Sequence, residues 1–269
     1  MQPFRAVAWL LPLGGACACV LLLTVCSGGG TSISRGSEGT LILNEGTNTI
    51  TTSQRGKGRG GNPADMPASL QPARTLELAR KFDLVDVRAA IPGISIDLRY
   101  ATADNVARRP LYDKRLPCML RRETADKLGR AQRILRKQGY GIRLWDGYRP
   151  PEVQEILSQA GASTRMFLSP ETMGWSRHCG GISVDVTLVD AENRELRLPT
   201  GFDAGLKNAA ANYQGADPEI RRNLQILQAA MKEAGFTQVT AEWWHFDDGD
   251  FVRNPQPIIY ARQLAIPKV

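Results

Sequence analysis

Histidine is almost absent from this chain: two residues in 269. Aromatic residues are missing from a long stretch, with none between Trp9 and Phe82. A segment without aromatics buries little surface, which excludes residues 27–81 as an ordinary core-forming unit. Charge is missing elsewhere, because Ala6 to Cys26 runs 21 residues without a Lys, Arg, Asp or Glu. There is no dense basic stripe either. Residues 27–81 carry seven basic and four acidic side chains and residues 82–269 carry 26 and 23, so the formal net charge of +7 is spread out and nucleic acid is excluded as a partner. No internal repeat is apparent. Of the five cysteines, only Cys118 and Cys179 lie beyond the first 26 residues. They are either one disulfide, as exported proteins allow, or two free thiols.

What is present divides the chain into three parts. Residues 1–26 read as an export signal, with one basic residue (Arg5) ahead of the uncharged run. Leu23-Thr24-Val25-Cys26 resembles a lipoprotein cleavage site, and the alternatives are a plain signal or an uncleaved membrane anchor. Residues 27–81 hold ten of the 26 glycines, with Ser, Thr and Asn between, and read as a flexible tether. Thr40–Leu43 and Thr49–Thr51 are weak strand candidates within it. The expected location is therefore the periplasm or cell envelope, with membrane contact through the N-terminal anchor or lipid alone.

Residues 82–269 read as one α+β domain with a mixed, mainly antiparallel sheet flanked by helices. Ile94–Leu98 alternates like a half-buried strand. Glu123–Gln138 carries apolar residues at helical spacing and stops at Gly139. Tyr140–Trp145 follows as a strand, and Pro150-Pro151 opens a helix through Leu157. Asp217-Pro218-Glu219 caps a helix that runs to Ala234. Gln238–Ala241 is expected as a late strand.

Both histidines stand at metal-ligand spacings. His178 precedes Asp185 by seven residues, and His245 follows Glu242 by three. Two imidazoles and a carboxylate make a three-ligand set for a catalytic metal, with zinc the usual choice in exported proteins. Parity constrains the backbone: residues seven apart on a regular strand face opposite sides. His178 is therefore expected on a loop turned by Gly180-Gly181, with Asp185 on a strand Ile182–Leu188. The chain must likewise break or bulge between Glu242 and His245. Taken singly, each feature has an ordinary structural reading; the coincidence of both histidines with spaced carboxylates argues for the metal.

At these residues the sequence resembles the zinc D-alanyl-D-alanine dipeptidases of the VanX type, whose signatures SxHxxGxAxD and ExWH match Ser176–Asp185 and Glu242–His245. Ser183 stands where the signature has alanine. Asp146-Gly147-Tyr148-Arg149-Pro150, Tyr100–Asn105 and Gly201-Phe202-Asp203 match as well, and the likeness covers Phe82 to Phe251. The resemblance implies one Zn2+ per chain on His178, Asp185 and His245, with Glu242 as general base and Arg149 at the oxyanion. It further implies that Asp203 meets the free amino group of D-Ala-D-Ala. Ser176, Tyr100 and Asp146 would lie near the substrate or support Arg149. From the residues alone, Arg149 is also readable as a structural ion pair with Asp146 or another acid, and Asp203 as a helix cap. Two further functions fit the motifs: a D,D- or L,D-carboxypeptidase on peptidoglycan peptides, and a zinc-containing binding or signalling module. Glu242 and Arg149 argue against the module, because a structural zinc needs neither.

Overall fold

The computed structural model describes residues 69–268 apart from 164, 165, 168, 171–173, 205–207, 253 and 255, together with three strands nearer the N-terminus. The chain divides into two compact units, Met1–Gly60 and Gly61–Val269. In the first, β1 (Ser32–Arg35), β2 (Leu41–Glu45) and β3 (Asn48–Ile50) form an antiparallel sheet, so both weak strand candidates pair. The expected export signal over residues 1–26 lies outside the described residues. Among the described residues, no helix is long and apolar enough to cross a membrane.

The second unit starts earlier than Phe82. A helix α1 (Pro72–Ala79) opens on a proline, and Leu70, Thr75 and Ala79 are buried. Eight helical residues therefore belong to the folded unit rather than to the expected tether. Next come β4 (Leu84–Asp86), the single turn α2 (Val87–Ala90), β5 (Ser95–Ile96) and β6 (Met119–Arg121). Then follow α3 (Arg122–Arg136), β7 (Gly141–Asp146), α4 (Pro151–Ala160) and β8 (Ser183–Val189). The unit ends with α5 (Pro218–Glu233), β9 (Phe236–Gln238) and β10 (His245–Asp248).

The three longest helices, α3, α4 and α5, form where the sequence pattern places them. In α3, Leu128, Ala131 and Leu135 are fully buried, each leucine contributing about 1.5–3 kcal/mol. Asp217 caps α5 by accepting from the backbone N–H groups of Glu219 and Ile220. The late strand is displaced from expectation, since β9 ends at Gln238. The chain then turns so that Ala211 N–H meets the Thr240 carbonyl and Trp243 N–H meets the Ala209 carbonyl. Those bonds go to a loop instead of the sheet, which ends the strand.

The main sheet has the order β5-β7-β8-β10-β9, parallel only between β5 and β7, and β4 pairs with β6 separately. Its three central strands carry Asp146, Asp185 and His245. Asp185 on β8 pairs with His245 on β10, and Ser183 with Asp247. On the other side the β7 register shifts between Leu144 and Asp146, making Asp146 rather than Trp145 the partner of Asp185. This bulge sets Asp146, Asp185 and His245 in one row across the sheet.

Candidate active site

Ser176 begins the site. Its hydroxyl accepts from the His178 backbone N–H and starts a 3-10 turn, Arg177–Gly180, which Gly181 ends at φ 70°. That left-handed conformation suits glycine, and a Cβ there would stand 2.6 Å from Leu84. His178 therefore sits on a turn and Asp185 on β8, as parity requires. Glu242 lies in the turn before β10 while His245 is that strand's first residue, so the chain breaks between them.

The imidazole of His178 donates from Nδ1 to the Gly147 carbonyl at 2.7 Å, leaving Nε2 as its free lone pair. That Nε2 lies 3.1 Å from His245 Nδ1 and 3.3 Å from Asp185 Oδ1. His245 Nδ1 is 3.0 Å from the same Asp185 oxygen. Ligand atoms on one tetrahedral zinc ion, at about 2.0–2.1 Å each, stand about 3.3–3.4 Å apart. Two nitrogens and one oxygen at 3.0–3.3 Å thus have the spacing and chemistry of a metal-ligand set. Electrostatics agree. Burial raises the Asp185 carboxyl, but His178 and His245 outweigh it and hold it far below the carboxylate range. Burial opposes charge on His245, yet Asp185 and Asp247 push its imidazole up to about 10. The pocket between these carboxylates favours a cation, whether a proton or a metal ion.

These three side chains open onto a cleft of about 290 Å³, which Tyr100, Arg149, Ser176, Asp203, Glu242 and Trp244 also line. Burial raises the Glu242 carboxyl above its ordinary value. Asp203 sits at φ 53°, with Oδ1 3.5 Å from the Tyr100 hydroxyl, which donates to it, and with Oδ2 buried and unpartnered among the described residues. Burial lifts this carboxyl to about 7. Asp203 lies in a turn, so among the described residues it caps no helix.

Arg149 is nearly fully buried. It donates to Asp146 Oδ2 (2.9 Å), Gln154 Oε1 (2.8 Å) and Asp185 Oδ2 (3.2 Å), and its guanidinium stacks 4.9 Å from the Tyr100 ring centre. The ion pair with Asp146 exists, and the guanidinium still borders the cleft. Asp146 itself is fully buried behind Arg149 and takes a second hydrogen bond from Tyr112 (2.9 Å). It supports the arginine and is not part of the cleft wall, the second of the two places expected for it. Trp243 and Trp244 are both core residues; Trp244 also shows a surface to the cleft. Cys118 and Cys179 are free, buried thiols, and burial pushes Cys179 up to about 12.

Residues 80–264 match the Peptidase_M15 family, described as D-ala-D-ala dipeptidase. The chain belongs to that family. A D-alanyl-D-alanine dipeptidase of Escherichia coli (strain K12) is 32% identical over 165 residues, covering 61% of this chain and 84% of the relative. One from Enterococcus faecium is 29% identical over 175 residues, with 58% and 86% covered. One from Streptomyces coelicolor is 30% identical over 200 residues, with 66% and 96% covered. The chain is accordingly an M15 peptidase, and the binding-module reading falls.

The M15 site contains partners that sequence spacing did not reveal. Tyr112 is 34 residues from Asp146 and carries no motif. Gly147 contributes a carbonyl, which no side-chain pattern announces. Asp247 was findable: on a strand, residues two apart share a face, so Asp247 had to lie beside His245.

Proposed function

We propose that this protein hydrolyses the dipeptide D-Ala-D-Ala with one zinc ion held by His178 Nε2, Asp185 Oδ1 and His245 Nδ1. The observation that carries the reading is the approach of those three atoms to 3.0–3.3 Å on the wall of a cleft that also holds Glu242 and an unpartnered Asp203 oxygen. Zinc bound there would supply Lewis acidity and make water acidic enough to act near neutral pH.

The chain's own groups supply the rest. Glu242 takes a proton from the attacking water and passes it to the leaving amine nitrogen, a task suited to a carboxyl that burial has raised. Arg149, fixed by Asp146 and Gln154, holds a permanent positive charge where the carbonyl oxygen becomes an anion. Tyr100 and Ser176 line the space beside it. Asp203 Oδ2, without a partner among the described residues, accepts from the substrate ammonium. An acylated amine would leave that oxygen unpaired, which selects for a free dipeptide. Export through residues 1–26, ahead of a tether, would place this activity in the cell envelope.

One observation favours a second reading. Asp203 also borders a hollow of about 550 Å³ lined by Arg99, Trp145, Phe202 and Trp243. A longer peptide could continue there, as a carboxypeptidase acting on peptidoglycan stems would require. D-alanine release by the zinc-loaded chain, compared between D-Ala-D-Ala and its N-acetyl form, separates the two. Cleavage of the free dipeptide alone supports the dipeptidase, cleavage of the acetylated form moves the assignment to a carboxypeptidase, and cleavage of neither overturns both.

A further inference from the structure

Four polar side chains form a square on one face of β8 and β10. Ser183 and Asp185 share a face of β8, His245 and Asp247 share a face of β10, and the register sets Asp185 opposite His245 and Ser183 opposite Asp247. We propose that Asp247 is a positioning residue for His245, gripped for that task by Ser183 and Arg177. The proposal rests on the metal-site reading above and assigns a role to residues outside the ligand set.

An imidazole that binds a metal through one nitrogen must carry its proton on the other. His245 Nε2 lies 3.1 Å from Asp247 Oδ1, a partner that would hold the ring's proton there once Nδ1, which faces His178 Nε2 and Asp185 Oδ1, is given to a metal. An outer carboxylate of this kind fixes both tautomer and ring orientation and makes the ligand more basic. Asp247 is itself clamped. The Ser183 hydroxyl, wholly buried, donates to Oδ1 at 2.6 Å, and Arg177 donates to Oδ2 at 2.5 Å.

The clamp has a second effect. Asp247 borders the cleft, and a loose carboxylate there would be a competing oxygen ligand. With both oxygens committed, it holds His245 without taking the position that water and substrate need. Ser183 is then more than a filler at a small-residue position. It completes the hydrogen bonding of the carboxylate that aims the second histidine.

The test is zinc affinity of the full chain, measured by competition with a chromophoric chelator alongside the melting temperature of the metal-free protein. Asp247→Ala should weaken zinc binding about 10- to 100-fold. Asp247→Asn, which keeps an oxygen for the His245 N–H, should recover much of that loss. Ser183→Ala, which removes only a hydroxyl, should weaken binding by several-fold, and excess zinc should restore its turnover. Affinity within two-fold of wild type in Asp247→Ala, with only the metal-free melting temperature lowered, would make the cluster a strand tie and overturn the proposal. If Asp247→Ala does not fold, unchanged affinity in Ser183→Ala overturns it equally. A wild-type chain that binds no zinc fails the metal reading instead, so the two failures are distinct.

Discussion

His178 and Gly147 are joined by a 2.7 Å hydrogen bond from the imidazole Nδ1 to the backbone carbonyl. That single contact sets which nitrogen of His178 faces the cleft, and it links the turn after Ser176 to the end of β7.

The glycine at 147 is required by that arrangement. A Cβ there would lie 2.9 Å from the Met119 carbonyl oxygen and 3.3 Å from Cys118 Sγ, closer than a backbone oxygen can yield. Gly147→Ala should destabilise the fold by about 1–3 kcal/mol and displace the carbonyl that holds His178. Thermal unfolding and zinc titration of the same variant check both effects.

The Glu242 side chain makes no hydrogen bond among the described residues, and its removal leaves the three ligand atoms in place. Glu242→Ala should keep zinc while turnover falls about 10²- to 10⁴-fold. His245→Ala should lose the metal. Metal analysis together with steady-state rates separates the two, and full turnover in metal-bound Glu242→Ala would remove this residue from the mechanism.

Stripping the metal should lower the melting temperature, because an ion that binds only the folded state adds RT ln(1 + [L]/Kd), or about 4 kcal/mol at a thousand-fold excess over Kd. Scanning calorimetry with and without a chelator measures this. Recovery with added zinc is expected in the wild type and absent in His245→Ala.

Asp203 gives the pH dependence. Burial raises its carboxyl to about 7, with Asp185 and Glu242 adding to the rise and Arg149 and Tyr100 opposing it. The folded state therefore holds this proton more tightly than the unfolded chain, so its contribution to stability is present at low pH and is lost as pH rises from about 4 to 7. Binding has the opposite sign, since the carboxylate form accepts the substrate ammonium. The value of kcat/KM for the free dipeptide should rise through pH 7 and fall above about 8, where the ammonium deprotonates. Asp203→Asn should raise KM about ten-fold or more and remove the Asp203 contribution to the rising limb.

How much of this was legible in the sequence depends on how local each signal is. The α5 cap at Asp217, the α3 stripe and the two histidine motifs are written in neighbouring residues, and the structure has them where the pattern places them. Parity also required the turn between His178 and Asp185 and the break after Glu242. The bulge at Trp145 was not legible, since it is a mismatch between two strands that neither strand encodes alone. Nor was Tyr112 beneath Asp146, or the early start of the domain at α1, where a short helix without aromatics reads like tether.

Asp146, Asp185 and His245 come from three different strands and meet only through cross-strand register. A slip of one residue along β10 would turn His245 to the opposite face and bring Phe246 into the cleft. The chain therefore cannot acquire its metal-binding geometry piecemeal. Zinc capture during refolding would time the closing of the sheet, and insertions in this protein should be tolerated between strands while a single residue added within β8 or β10 abolishes the site outright.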